Sequence, residues 1–519
     1  MRYLIFLLAV SLCASAQEKT QKVYYRNPVM AGDHPDPSII RVGNDFWATS
    51  TASEWGPEFQ LLHSTDLVNW EVKGAVLPHT PSWASGNFWA PEISEFENRF
   101  YVYYAGRIKG GPLAVAVAIA DHPEGPYHDH GPFIAQEDGS IDPAPATDEN
   151  GRRYLIWKED GNSRNLPSTI WAQQLDSSGA GVVGRPTALI FSDTDWEGKV
   201  VEGPFILRRG NWFYLFYSGA GCCGRNCNYA VGVARSHALL GPWMKNPANP
   251  ILAANDVWKC PGHGSIVTDQ RGRYWFLYHG YSTNGFVFTG RQALLDEVKF
   301  GSDGWPTINN GKGPTIEGLS PFGAEQRRQA DFREDFSHGK LAAGWQWDQA
   351  NEPNYRIHDG CLELATSESS QTNLPGAVLA RLVTSPDFRA TTVIKTGAEE
   401  LKGMAGLVLL GDSENAIGVS VGDGEIVAWR MRRGEFTRLQ QQKLRAGTEV
   451  ELRLTAHGAS AVGFAVKEAG GDWQTFGGQV DGSELPPWDR GMRIGLSAGG
   501  SEKARGRFRR LEILMHPDD

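Results

Sequence analysis

The chain has 519 residues, enough for two or three domains, and a formal charge of -10 with no long basic run, which argues against nucleic acid as a partner. Its 18 Trp and 61 Gly suit short strands, tight turns and surfaces on which sugar rings stack.

The N-terminus reads as an export signal. Met1-Arg2-Tyr3 gives a charged start, residues 4–10 an apolar core, and Ala14-Ser15-Ala16 a small-x-small cleavage site before Gln17. Leu12 is too large for a lipidation box at Cys13. No other apolar run approaches the roughly 20 residues needed to span a bilayer. Residues 1–16 are therefore expected to be a signal peptide, and the protein to be exported to a periplasm or medium without a membrane span.

A phrase then recurs. Asp36-Pro37-Ser38-Ile39-Ile40 precedes Asp45-Phe46-Trp47-Ala48-Thr49, and Ala90-Pro91-Glu92-Ile93 precedes Arg99-Phe100-Tyr101-Val102-Tyr103-Tyr104. Asp142-Pro143-Ala144 precedes Arg153-Tyr154-Leu155-Ile156-Trp157, Val201-Glu202-Gly203-Pro204-Phe205-Ile206 precedes Trp212-Phe213-Tyr214-Leu215-Phe216-Tyr217, and His263-Gly264-Ser265-Ile266-Val267 precedes Arg273-Tyr274-Trp275-Phe276-Leu277-Tyr278. An apolar strand, a tight turn and an aromatic strand, repeated roughly every 50–60 residues, predict a five-bladed β-propeller over residues 17–322. Further strands, such as residues 114–120 and 229–236, complete the blades. Inner strands of a propeller surround one axis, so residues in equivalent phase converge on one mouth. Asp36, Asp142 and Glu202 are expected there together. Glu92 shares the phase, and phase alone does not choose between the carboxylates.

Cys222, Cys223 and Cys227 crowd a Gly-rich loop, with Cys260 on the next blade and Cys361 isolated. Export permits disulfides, and the loop cluster reads as a staple with Cys260 within reach. No second Cys/His pair at zinc spacing supports a metal cluster. Cys361 is the natural free thiol. Residues 323–330 are polar and read as a linker. From 331 to 519, many short strand-like runs lack the blade phrase, among them residues 377–382, 406–410, 425–429 and 450–454. They predict a β-sandwich of jelly-roll type, with Trp345 and Trp347 in its core. The fold class is therefore all-β.

Hydrolysis of a glycosidic bond needs an acid on the leaving oxygen and a base or nucleophile at the anomeric carbon, and two carboxyl groups commonly do this. The acid must keep its proton near neutral pH, and a third carboxylate raises its pKa by like-charge repulsion. Three acids at one mouth supply all three parts.

The ordered set Asp36-Pro37-Ser38, Trp89-Ala90-Pro91-Glu92, Ile141-Asp142-Pro143, Val201-Glu202-Gly203-Pro204 and Gly262-His263-Gly264-Ser265 resembles glycoside hydrolase family 43, across about residues 27–315. Glu334-Asp335-Phe336 and Gly344-Trp345-Gln346-Trp347 resemble, more loosely, the concanavalin-like sandwich appended to many of its xylosidases and arabinofuranosidases. The resemblance implies Asp36 as general base on water, Glu202 as general acid and Asp142 as the group that raises and orients the acid. It implies that Arg291 contacts substrate hydroxyls, with Glu92 also on the substrate side. It makes Trp89 a sugar-stacking platform, and His263 a channel residue that in many members binds calcium. No cofactor is implied for the chemistry itself.

The expected activity is inverting, exo-acting release of terminal α-L-arabinofuranosyl or β-D-xylosyl units from plant-type glycans. The rivals are an endo-arabinanase, a galactan- or fructan-active propeller, a non-catalytic sugar-binding propeller and an adhesion scaffold. Fructan enzymes carry Arg-Asp-Pro on the third blade, where this chain has Ile141-Asp142-Pro143. Oligomeric state and disulfide pairing are not fixed by the sequence.

Overall fold

The computed structural model describes residues 22–328, 331–366, 374–397, 401–445 and 449–515. The expected signal peptide at 1–16, Cys13, Gln17 and the linker's end at 329–330 lie outside these.

Five four-stranded antiparallel sheets follow one another. Their inner strands are Ser38–Val42, Trp89–Phe96, Ser140–Thr147, Val201–Arg209 and Trp258–Thr268. Each inner strand runs beside the inner strands of the two flanking blades, and the fifth returns to the first, so the ring closes. Two-residue side-chain alternation holds the ring together. On the second strand of blade four, Leu215 and Tyr217 pack against Ile156 and Ile170 of blade three, while Tyr214 and Phe216 pack against Ile266 and Phe276 of blade five. Both faces of each blade are thus buried, which is why the strands read as apolar runs rather than clean alternations. The same exchange joins blades one and two, two and three, and five and one.

The inner strands share a defect. In blades two to five, each carries at least one residue more than its partner strand at the same height, between Trp89 and Glu92, Ile141 and Ala144, Glu202 and Phe205, and Lys259 and Gly264. These are β-bulges. A bulge removes a ladder hydrogen bond, so Pro91, Pro143 and Pro204 sit inside buried strands without orphaning an acceptor. The residue before each proline, and His263 in blade five, takes a left-handed backbone: Ala90 at φ 44°, Asp142 at 55°, Gly203 at 57° and His263 at 40°, matched by Asp36 at 49° before the first inner strand.

The second domain is a β-sandwich of an eight-stranded and a six-stranded sheet. Leu452, Leu454, Leu511 and Ile513 of one sheet meet Leu407, Leu409, Val419 and Leu496 of the other in its core, with Trp345 buried beside them. Trp347 is only half-buried, because Trp347–Asp348 leaves the sandwich to pair with Trp55–Gly56 of blade one. Arg493 stacks over Trp55 at 4.9 Å and reaches Asp33 Oδ2 at 3.4 Å, tying the sandwich to the propeller. The staple resolves into two disulfides, Cys222–Cys223 and Cys227–Cys260, and Cys361 is a buried free thiol.

Candidate active site

The left-handed residues gather the acids. A bulge re-aims the side chains beside it, and the left-handed turns bring Asp36, Asp142 and His263 together, His263 Nδ1 lying 3.4 Å from Asp36 and 3.9 Å from Asp142. Strained backbone of this kind persists where the surroundings over-determine it, and it clusters at functional sites. Gly203 has no freedom to be larger, because a Cβ there would lie 2.8 Å from the His263 ring. Its amide donates to Asp142 Oδ2 at 2.9 Å, fixing the carboxylate of blade three against the strand that bears Glu202.

Glu202 does not share the phase of Asp36 and Asp142. It precedes the left-handed residue and so occupies the place of Trp89 in blade two and Ile141 in blade three. It reaches the site from one residue higher on its strand.

Asp36 is clamped on both oxygens. Oδ1 accepts from Arg291 Nη1 at 2.9 Å, and Oδ2 accepts from the Thr51 hydroxyl at 2.6 Å. His263 Nδ1 lies 3.4 Å from Oδ1. Burial pushes this carboxyl up, but the Arg291 guanidinium and the imidazoles of His263 and His279 reverse that and hold it well below the usual carboxylate range. His279 is itself driven down to about 4, chiefly by burial. Its neutral ring accepts the Asp36 backbone N–H at 3.1 Å.

The other two acids behave as a pair. Burial pushes Asp142 up to about 6; His263 opposes the shift and the neighbouring Glu202 charge reinforces it. Glu202 is also raised by burial, but the ammonium of Lys158, 2.5 Å from Oε2, and the facing Tyr229 hydroxyl bring it below its ordinary value. Asp142 is thus the raised member of the pair and Glu202 the lowered one, whereas the expected division has Asp142 raising Glu202.

The remaining expected residues divide. Arg291 is buried and spends Nη1 on Asp36 and Nη2 on the Asp489 carbonyl of the sandwich at 3.1 Å, while its Nε has no partner. Trp89 is half-buried at the rim, edge-on to Trp488 of the sandwich with centroids 6.3 Å apart. Trp488 is 61% exposed. Glu92 lies two residues past Ala90 and faces Ser38, and desolvation raises it to about 8. His263 lies beside the acids at the channel mouth. Calcium takes six to eight oxygen ligands, yet among the described residues no group of three or more His, Cys, Asp or Glu could hold a metal ion. A calcium ion at His263 is therefore not shown, and His263 is a neighbour of Asp36 and, at 3.9 Å, of Asp142.

Sequence reasoning missed a second ring. The end of each blade's second strand serves the inner strand of the next blade. Thr51 accepts from the Ala90 amide at 2.7 Å, Lys158 donates to Glu202, Ser218 accepts from the His263 amide at 3.0 Å, and His279 accepts from Asp36. Only Ala105 of blade two, which packs on Ile141, breaks the pattern. The signal was available: Lys158, Ser218 and His279 each follow an aromatic residue that closes an apolar strand, in equivalent phase. A cavity of about 680 Å³ at the seam between the domains, lined by Asn27, Trp70, Phe332 and Arg381 among others, contains no carboxylate and is separate from this site.

Both domains match known proteins. Residues 25–306 match Glycosyl hydrolases family 43, and residues 333–507 match the Beta xylosidase C-terminal Concanavalin A-like domain. Xylosidase/arabinosidase 43B of Humicola insolens is 30% identical over 407 residues, covering 74% of this chain and 73% of that protein. Beta-xylosidase of Bacillus subtilis is 28% identical over 428 residues, covering 75% and 77%. The crystal structure of a mutant GH43 protein from Bacillus licheniformis superposes with a TM-score of 0.83 at 25% identity, over 95% of this chain and all of that one. With buried carboxylates converging at the mouth of a five-bladed propeller and a concanavalin-like sandwich behind it, this chain belongs to glycosyl hydrolase family 43 and is a glycoside hydrolase.

Proposed function

We propose that the protein is an exported, inverting, exo-acting glycosidase that removes terminal α-L-arabinofuranosyl or β-D-xylosyl units from plant-type glycans. In this reading residues 1–16 are the export signal, 17–322 the catalytic propeller, 323–330 the linker and 331–519 the sandwich. The observation that carries it is the electrical asymmetry of the three acids. Arg291 and the imidazoles beside Asp36 hold its carboxyl well below the usual range, while burial and the Glu202 charge raise Asp142 to about 6. One site thus offers a base and a proton donor at the same pH, which displacement by water requires.

Asp36 deprotonates the water that attacks the anomeric carbon. Its oxygens are fixed by Arg291 and Thr51. When Arg291 turns to a substrate hydroxyl, Asp36 becomes a stronger base. Glu202 delivers a proton to the leaving oxygen, and Asp142 stores that proton and orients the pair. The exo reading is supported by the sandwich, whose Trp488-Asp489 segment stands at the mouth beside Trp89 and Arg291 and shortens the space for a continuous chain.

The two sugars are named by the matched relatives, Xylosidase/arabinosidase 43B and Beta-xylosidase. The test is hydrolysis of aryl α-L-arabinofuranoside and aryl β-D-xyloside side by side, with Glu202→Gln as control. Release of either sugar, with a loss of about 10²–10⁴-fold in the variant, is the expected result. Unchanged activity of Glu202→Gln on natural oligosaccharides removes the catalytic assignment.

A further inference from the structure

Lys158 is 1% exposed in its side chain and stands between two carboxylates, 2.5 Å from Glu202 Oε2 and 2.9 Å from Asp160 Oδ1. Burial works against its ammonium, but Glu202, Asp160 and Asp142 outweigh burial and keep it charged. A buried lysine is retained only when paired, because an isolated charge there costs several kcal/mol. Glu202 alone would satisfy that need. The second partner, two residues along the same segment, calls for an explanation.

A proton donor held by an ammonium is in the wrong state for its task, since the pairing stabilises the carboxylate. Asp160 gives the ammonium somewhere else to be. We infer that Lys158 is a positioning residue that switches partners: it clamps Glu202 as a carboxylate in the empty site and stays with Asp160 when Glu202 turns, protonated, to the leaving oxygen of a bound glycoside. This rests on Glu202 being the proton donor.

The proton balance closes. The Asp142–Glu202 pair holds one proton. Loss of the Lys158 contact moves it from Asp142 to Glu202, Glu202 gives it to the leaving oxygen as the glycosidic C–O bond breaks, and Asp36 takes one from the attacking water as the new C–O bond forms. The groups that face Glu202 are Lys158 from the second strand of blade three, Asp142 from its inner strand, His263 from blade five and Tyr229 from the loop after blade four's second strand. Asp160 acts through Lys158, and Asp36 through Asp142. Of these, Lys158 alone has a carboxylate on each side of its ammonium within 3 Å.

The test is the pH profile of kcat/KM for two variants that act in opposite directions. Lys158→Met removes the clamp, so the alkaline limb, where the donor loses its proton, moves up by about 1 pH unit. Asp160→Asn leaves Glu202 as the ammonium's one carboxylate partner, so that limb moves down and kcat falls. The acid limb stays in place in both. A purely structural role lowers the whole profile without moving its limbs, and that result, or shifts of the same sign, overturns the proposal. Should Lys158→Met fail to accumulate, Asp160→Asn still decides, since an unmoved alkaline limb contradicts the switch.

Leaving groups separate this from the underlying reading. The shifts are expected with p-nitrophenyl glycosides and absent with 2,4-dinitrophenyl glycosides, which depart without a proton. If Glu202→Gln is impaired equally on both, Glu202 is not the donor and the underlying reading fails. If it is impaired on the poorer leaving group alone while the alkaline limbs of both lysine-pair variants stay fixed, the switch fails and the donor assignment survives.

Discussion

At the scale of single residues, three carboxyl groups of nearly identical burial reach different states because their partners differ. Asp36 has a guanidinium and a hydroxyl, Glu202 an ammonium, and Asp142 one backbone amide among other anions. The raised group has a consequence for stability. A carboxyl whose folded pKa of about 6 exceeds its unfolded value contributes stability that is full below the unfolded pKa and is lost as pH rises through about 6, because over that window the folded state binds more protons. Asp142→Asn removes this dependence. Thermal denaturation between pH 4 and pH 8 on the order of one-unit steps should give a flatter profile for the variant and a higher Tm than wild type at the alkaline end. A parallel decline in both proteins contradicts the assignment of the raised group. Asp36 has the opposite sign: its depressed pKa contributes stability above the unfolded value, lost only in strong acid as the folded pKa is reached.

At the scale of the element, the bulged inner strand is the device that builds the site. Gly203→Ala puts a Cβ into a left-handed position and against the His263 ring. A cost of about 1–3 kcal/mol is expected, with a matching loss of kcat/KM, measurable by urea denaturation and aryl-glycoside hydrolysis. Retention of both would show that the strand relaxes freely. The bulge also explains what could be read beforehand. Asp-Pro, Ala-Pro and Gly-Pro before aromatic strands marked four of the five blades, and in blades two to four proline sits inside a buried strand because a bulge accommodates it. The same extra residue made phase ambiguous by one position. Glu202 therefore looked equivalent to Asp142 when its counterpart is Ile141, and Glu92 looked equivalent when it lies two residues past Ala90. Lys158 was invisible to a search confined to inner strands, since its partner Glu202 is on the next blade, 44 residues away.

At the scale of the whole molecule, the sandwich takes part in the site. Arg291 and Asp489 meet across 198 residues of sequence, and no local pattern announces such a pair, whereas the sandwich itself was legible from its many short strands without the blade phrase. Arg493 is the buried tie, bonded through Nε to Gln346 at 2.7 Å and facing Asp33, whose other oxygen accepts the Arg291 amide. Arg493→Met should cost about 3–5 kcal/mol in chemical denaturation by leaving Asp33 without its charge partner, and a loss below about 1 kcal/mol contradicts that role. The central claim is that Asp36 activates water while the Asp142–Glu202 pair supplies the proton. Proton NMR of the sugar first released from an aryl glycoside, recorded before mutarotation and with Asp36→Asn in parallel, tests it most directly. The account predicts that the inverted anomer appears first and that Asp36→Asn abolishes its formation. A retained anomer as first product would mean that a carboxylate attacks the sugar itself, and would contradict it.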